Sequence, residues 1–184
     1  MALITRRSVV AAAAAGTLAA VSCPRKPRAQ DLKDLSQALK ASNPPVEAPD
    51  IVFVDANGNP HHLSEFRGHG MVINLWATWC GPCVAEMPSL AALSRTLAPV
   101  DIAVLPLSSD HGGVTAVEAF FRKHAITGLP VLLDPQGAAA RAFGAEGIPT
   151  SVVIDKAGRE RARLEGSADW STPDAAAAVR KLIG

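Results

Sequence analysis

Cysteine is scarce in this chain: its 184 residues hold three, Cys23, Cys80 and Cys83. That excludes a disulfide-stapled scaffold, which uses many cysteines in a short chain. A hydrophobic fraction of 48% is enough to build a core without staples. No second cysteine pair accompanies Cys80 and Cys83, and His61, His62, His69, His111 and His124 are scattered without ligand spacing. A closed four-ligand zinc site is therefore not expected, and neither a metal nor another cofactor is assigned. A basic excess is missing as well. The net charge is +1, yet Arg6, Arg7, Arg25, Lys26 and Arg28 all lie within the first 30 residues, which contain no Asp or Glu. The remainder carries about −4, and a mildly acidic domain lacks the basic stripe that nucleic-acid binding needs. No internal repeat appears, and the length fits one compact domain with an extension.

The leader has too short an apolar run to span a bilayer. It extends from Val9 to Val21 behind Arg6–Arg7, against about 20 residues for a transmembrane helix. That pattern reads as an export signal over residues 1–23, and Thr5–Arg6–Arg7–Ser8–Val9–Val10 is similar to a twin-arginine signal. Ala20–Val21–Ser22 suits cleavage before Cys23, although the large aliphatic residue expected three places before a lipidated cysteine is missing. Cleavage, lipidation and retention as an anchor all stay open. Residues 24–45 read as a linker punctuated by Pro24, Pro27, Pro44 and Pro45, with a short helical pattern at Leu32, Leu35 and Leu39. The folded domain is expected over 46–184.

Within it, Ile51–Val54 runs into Asp55–Ala56–Asn57–Gly58–Asn59, a hairpin signal, and Leu63–Gly68 reads as one helical turn. Met71–Ala77 is nearly continuously apolar, as in a strand buried on both faces. From Cys80 the apolar positions Val84, Met87, Leu90, Leu93 and Leu97 follow a helical period, with Pro88 expected to kink it. Asp101–Leu107 is a second strand, in which Pro106 suggests an edge or a bulge. Then come a helix at 114–125, a short strand at 131–133, a short helix at 138–143, strands at 150–154 and 160–164, and a helix opening near Ser171–Asp174. Arg159, Arg161 and Arg163 alternate and read as one solvated face. The pattern describes an α/β domain, a mixed central sheet flanked by helices with an N-terminal β-hairpin extension.

Cys80 falls where a strand ends and a helix starts. The free N–H groups and the dipole of a helix N-terminus stabilise a thiolate there, so Cys80 is the expected nucleophile, reachable from outside. Cys83 follows one helical turn later and can resolve a mixed disulfide, while Gly81–Pro82 keeps the turn tight and starts the helix. Gly147–Ile148–Pro149–Thr150 precedes a buried strand. A cis Pro149 would leave the Ile148 backbone groups free to pair with an incoming peptide. Trp79 reads as lining the partner groove and Trp76 as either core or site. Trp170, Phe120 and Phe121 read as packing, and His111 as part of a surface loop.

Trp79–Cys80–Gly81–Pro82–Cys83 with Gly147–Ile148–Pro149–Thr150 resembles the thioredoxin superfamily. The longer stretch from Asn74 to Pro88 resembles its TlpA/ResA branch of exported reductases, over about residues 46–184. The resemblance implies a thioredoxin fold and a dithiol that reduces disulfides of envelope proteins. It also implies recharging by a membrane thiol donor and a location on the periplasmic side of the membrane, soluble or anchored. It implies two client classes, apocytochrome c thiols and the cysteine pairs of copper-site assembly proteins for respiratory oxidase. Gly81–Pro82 matches the reducing members. Where thioredoxin has a buried acid six places before its first active-site cysteine, this chain has Asn74, so Glu86 becomes the available proton acceptor; the other reading of Glu86 is a solvated helix residue. A monomer suffices. A peroxiredoxin-like peroxidase and a client-binding module without redox chemistry are the competing functions. The peroxidases have Thr at the position of Cys80, so the presence of both cysteines favours disulfide exchange.

Overall fold

The computed structural model describes residues 35–184. The expected export signal, Cys23 and the expected linker up to residue 34 lie outside that range. The described chain begins with α1 (Leu35–Ala38) and β1 (Lys40–Glu47), followed by β2 (Val52–Asp55) and β3 (Pro60–His62). A 3-10 turn (Leu63–Phe66) leads to β4 (Gly70–Trp76), then α2 (Gly81–Leu97), β5 (Ile102–Ser108), α3 (Gly113–Lys123) and β6 (Leu132–Leu133). The order closes with α4 (Ala138–Ala142), β7 (Thr150–Ile154), β8 (Arg159–Glu165) and α5 (Pro173–Ile183). One mixed sheet joins the strands in the order β1-β8-β7-β4-β5-β6-β2-β3.

All seven residues of β4 are buried, as its unbroken apolar run predicts. It pairs parallel with β5 and antiparallel with β7. Parallel neighbours need a long crossover, and α2 supplies it. Side chains of a strand alternate between sheet faces. Val72 and Trp76 of β4 face a core completed by Met87, Leu90 and Leu97 of α2 and Val179 of α5. Met71, Ile73 and Leu75 face a second core that holds Phe53 of the hairpin and Phe143 beyond α4. Asn74 shares the parity of Val72 and Trp76, so a polar side chain is carried into the α2 face of the sheet.

The hairpin turns on Asp55, whose carboxylate accepts the backbone N–H groups of Asn57 and Asn59 at 2.8 and 2.9 Å. Three sequence expectations change. Residues 40–45, read as the end of a linker, belong to β1, which pairs with β8 on the sheet edge. Pro106 is not on an edge strand, since β5 lies between β4 and β6. Proline is tolerated there because two-residue β6 pairs only with Leu107 and Ser108. The arginines of β8 are not simply solvated: Arg159 and Arg161 reach the buried carboxylate of Asp155, and Arg163 grips Glu160 through two bonds of 2.8 Å. The β7–β8 pairing shifts register between Val153 and Ile154, while burial along β8 still alternates and leaves the three arginines on its less buried face. Pro88 lies inside α2, which continues past it to Leu97 with Pro88 itself exposed.

Leu90 is fully buried between α2 and the sheet. Leu90→Ala is expected to lower stability by about 2–5 kcal/mol, the range for a buried leucine that leaves a cavity. Urea unfolding should show an earlier midpoint at unchanged slope.

Candidate active site

The strand-to-helix junction is built by short-range chemistry. β4 ends at Trp76, and Ala77–Trp79 form the turn. Cys80 is the N-cap of α2 with extended backbone, and Pro82 occupies the first helical turn, where its missing N–H leaves no bond unmade. The Sγ of Cys80 accepts the backbone N–H of Cys83 at 3.3 Å. One of the otherwise orphaned amides of the helix N-terminus therefore points at the sulfur expected to become the nucleophile. Cys80 and Cys83 are disulfide-bonded, their Cα atoms 5.2 Å apart.

Access differs between the two. Cys83 is sealed at 0% exposure and Cys80 retains 5%. The opening at Cys80 is narrow, but Trp79, at 68% exposure, and Gly81 and Pro82 lie bare around it. Of the pair, only Cys80 has any access to solvent. The Ile148–Pro149 bond is cis, and the Ile148 carbonyl oxygen lies 3.7 Å from Cys80 Sγ. The fold thus brings residues 68 positions apart to one sulfur.

Glu86 is not a solvated helix residue. It is fully buried one helical turn beyond Cys83, on the same side of α2. Its Oε1 accepts the side-chain N–H of Asn74 at 2.8 Å. Its Oε2 accepts the backbone N–H of Ala168 at 3.1 Å and the indole N–H of Trp170 at 3.4 Å. Burial pushes the Glu86 carboxyl up to about 7, and the bonds from Asn74, Ala168 and Trp170 pull only partly the other way. A carboxyl with that affinity can both take and return a proton near neutral pH.

Of the tryptophans, Trp76 is core: it is 1% exposed, stacked on Phe121 and tilted against Phe120. Trp170 packs as expected but also donates to Glu86, a role its sequence position gives no sign of. Asp110 and Thr78 were likewise missed. The buried Asp110 carboxylate accepts the Thr78 hydroxyl at 2.6 Å, the Thr78 backbone N–H at 2.8 Å and the Ser108 hydroxyl at 2.6 Å. It ties the turn before Cys80 to the end of β5. An acid just past the carboxyl end of a parallel strand was the available signal, because sites in such sheets gather there. His111 is exposed. Among the described residues no group of three His, Cys, Asp or Glu is placed to hold a metal ion, and no helix is long and apolar enough to cross a membrane.

Comparison with known proteins agrees with this geometry. Residues 41–179 match the Redoxin family model. The thiol-disulfide oxidoreductase ResA of Geobacillus thermodenitrificans is 32% identical over 120 residues, covering 65% of this chain and 68% of its own. A thiol-disulfide oxidoreductase structure from Bacteroides vulgatus is 27% identical with a TM-score of 0.63, covering 74% of this chain and 94% of that one. A thiol:disulfide interchange protein of the thioredoxin family from Chlorobium tepidum is 25% identical with a TM-score of 0.61, covering 76% and 97%.

The raised affinity of Glu86 has a consequence for stability. Its proton is held more tightly in the folded chain, at about 7, than at the ordinary value of 4.5, so the folded state binds more protons between those two pH values. Stability from this group is full below pH 4.5 and lost as pH rises through 7, in total of order 3 kcal/mol. Glu86→Gln should lack that fall, so denaturant titrations of the two proteins from pH 4.5 to 8 should converge at the acid end and separate toward pH 8. Parallel curves would contradict the assignment.

A buried strand that delivers a cysteine pair to a helix N-terminus, beside a cis-proline loop and over a buried carboxyl, is thiol–disulfide exchange machinery on a thioredoxin fold, and this chain belongs to the Redoxin family as a thiol–disulfide oxidoreductase.

Proposed function

We propose that this protein reduces disulfides of exported client proteins, with Cys80 as nucleophile, Cys83 as resolving thiol and Glu86 as proton acceptor. In the dithiol form, the Cys80 thiolate attacks one sulfur of the client disulfide. A mixed disulfide forms, and the client's other sulfur leaves as a thiolate and takes a proton from solvent. Cys83 then passes its proton to the Glu86 carboxylate and attacks the Cys80 sulfur. The second client thiolate leaves, and the Cys80–Cys83 disulfide remains. Two electrons have moved to the client, and a membrane thiol donor restores the dithiol.

The observation that carries this reading is the asymmetry of the pair. Cys80 opens to the surface and accepts a helix N-terminal N–H, while Cys83 is sealed beside a carboxyl poised near neutrality. Exposed Trp79, Gly81 and Pro82, together with the Ile148–Pro149 loop, form the surface for the client's extended backbone. The leader supports work on the periplasmic side of the membrane, soluble or held by the N-terminus, and the mechanism needs no more than a monomer. The clients proposed are apocytochrome c and the cysteine pairs of proteins that assemble the oxidase copper site.

Cys83→Ser should trap clients as mixed disulfides through Cys80, identifiable by mass spectrometry of envelope extracts, and Cys80→Ser should trap none. The reduction potential should lie well below about −200 mV, nearer thioredoxin at about −270 mV than DsbA at about −120 mV. Equal trapping by both variants, or peroxide turnover rivalling disulfide turnover, would overturn the reading.

A further inference from the structure

The carboxyl of Glu86 is not symmetrically held. Oε2 receives two N–H donors, from Ala168 and Trp170, which occupy both of its lone pairs. Neither donor can turn around, since one is backbone and the other an indole. Oε1 receives a single donor, the Asn74 amide, the one donor at this carboxyl that can turn and leave the lone pair it faces to a proton. A proton taken up by Glu86 must therefore sit on Oε1, and once there it needs an acceptor.

Asn74 is fully buried and uses both amide hydrogens, one on Glu86 Oε1 at 2.8 Å and one on Ser151 Oγ at 2.9 Å. Its own oxygen, Oδ1, is buried with no hydrogen-bond partner. An unpartnered buried acceptor is costly, and it calls for an explanation. Here it belongs to the same amide that touches the one carboxyl oxygen free to take a proton.

We propose that Asn74 is the positioning residue for the proton that Glu86 carries, turning its amide so that Oδ1 accepts the Oε1 hydrogen whenever Glu86 is protonated. The two ends of an amide are nearly equal in shape, so the turn needs no repacking. Ser151, the β7 partner of Asn74 in the sheet, can follow because a hydroxyl donates as readily as it accepts. The bond count stays favourable at the carboxyl in both states. The turned amide gives up its two acceptors for nitrogen, so Asn74 favours the ionised form and opposes the effect of burial. The groups that face the Glu86 carboxyl are Asn74 from β4 and the Ala168 amide and Trp170 indole from the segment before α5. Cys83, one turn back on α2, is the titratable neighbour. The inference rests on the proton-acceptor role proposed for Glu86, but its test does not depend on activity.

In the oxidised protein the cysteines do not titrate, which isolates Glu86. Carboxyl-carbon NMR should give the Glu86 midpoint, and the Asn74 side-chain amide resonances should move with that same midpoint. Cross-relaxation from the Asn74 amide hydrogens to Ser151 and Glu86 should be present above it and lost below it. Glu86→Gln, whose amide can donate where the acid would, should hold the low-pH pattern at every pH. Asn74→Leu should raise the Glu86 midpoint, lowering the ratio of carboxylate to acid at a given pH about tenfold. Cross-relaxation unchanged across the titration, or an unmoved midpoint in a folded Asn74→Leu protein, would overturn the proposal. Client trapping by Cys83→Ser would be unaffected by that failure, so the two readings fail separately.

Discussion

The structure turns on the junction between β4 and α2. A strand buried along its whole length can end only where the chain reaches the sheet boundary, and there the next residues must satisfy the unpaired amides of a starting helix. Cys80 does so with its sulfur, which accepts the N–H of Cys83. The contact that caps the helix also places positive potential against the reactive atom. Removing the cap would loosen the turn and weaken the thiolate together, because one hydrogen bond serves both.

Around that junction the fold recruits groups from far along the chain. Asp110 fixes Thr78 from the end of β5, and the Ile148 carbonyl approaches Cys80 from the loop before β7. Ala168 and Trp170 close over Glu86 from the segment before α5. Each contact crosses tens of residues, and each depends on the parallel pairing of β4 with β5 and the antiparallel pairing of β4 with β7. The sheet register is therefore part of the chemistry. A slip of one residue would send Asn74 to the opposite face and leave Glu86 buried without its partner.

Burial of Glu86 is the second constraint. An ionised carboxylate away from water is unfavourable unless hydrogen-bonded. Three donors keep the charged form accessible, but they do not cancel the effect of burial, and the group settles near neutrality. That balance sets Glu86 apart from Asp155. The Asp155 carboxylate is also buried, but backbone donors and two arginines hold it below its ordinary range.

Local patterns in the sequence were enough to place nearly every strand and helix, since apolar periodicity and turn residues are short-range signals. The cysteine pair at a strand-to-helix boundary was legible for the same reason, whereas Glu86 was singled out only through the family resemblance, with its burial left open. The edge strand that opens at residue 40 was hidden by prolines that read as a linker, and the position of β5 inside the sheet was hidden by Pro106. The donors to Glu86, the tie between Asp110 and Thr78, the core placement of Trp76 and the unpartnered oxygen of Asn74 came from tertiary structure alone. Burial and hydrogen-bond partnership are set by which strands lie side by side, and no window of neighbouring residues contains that information.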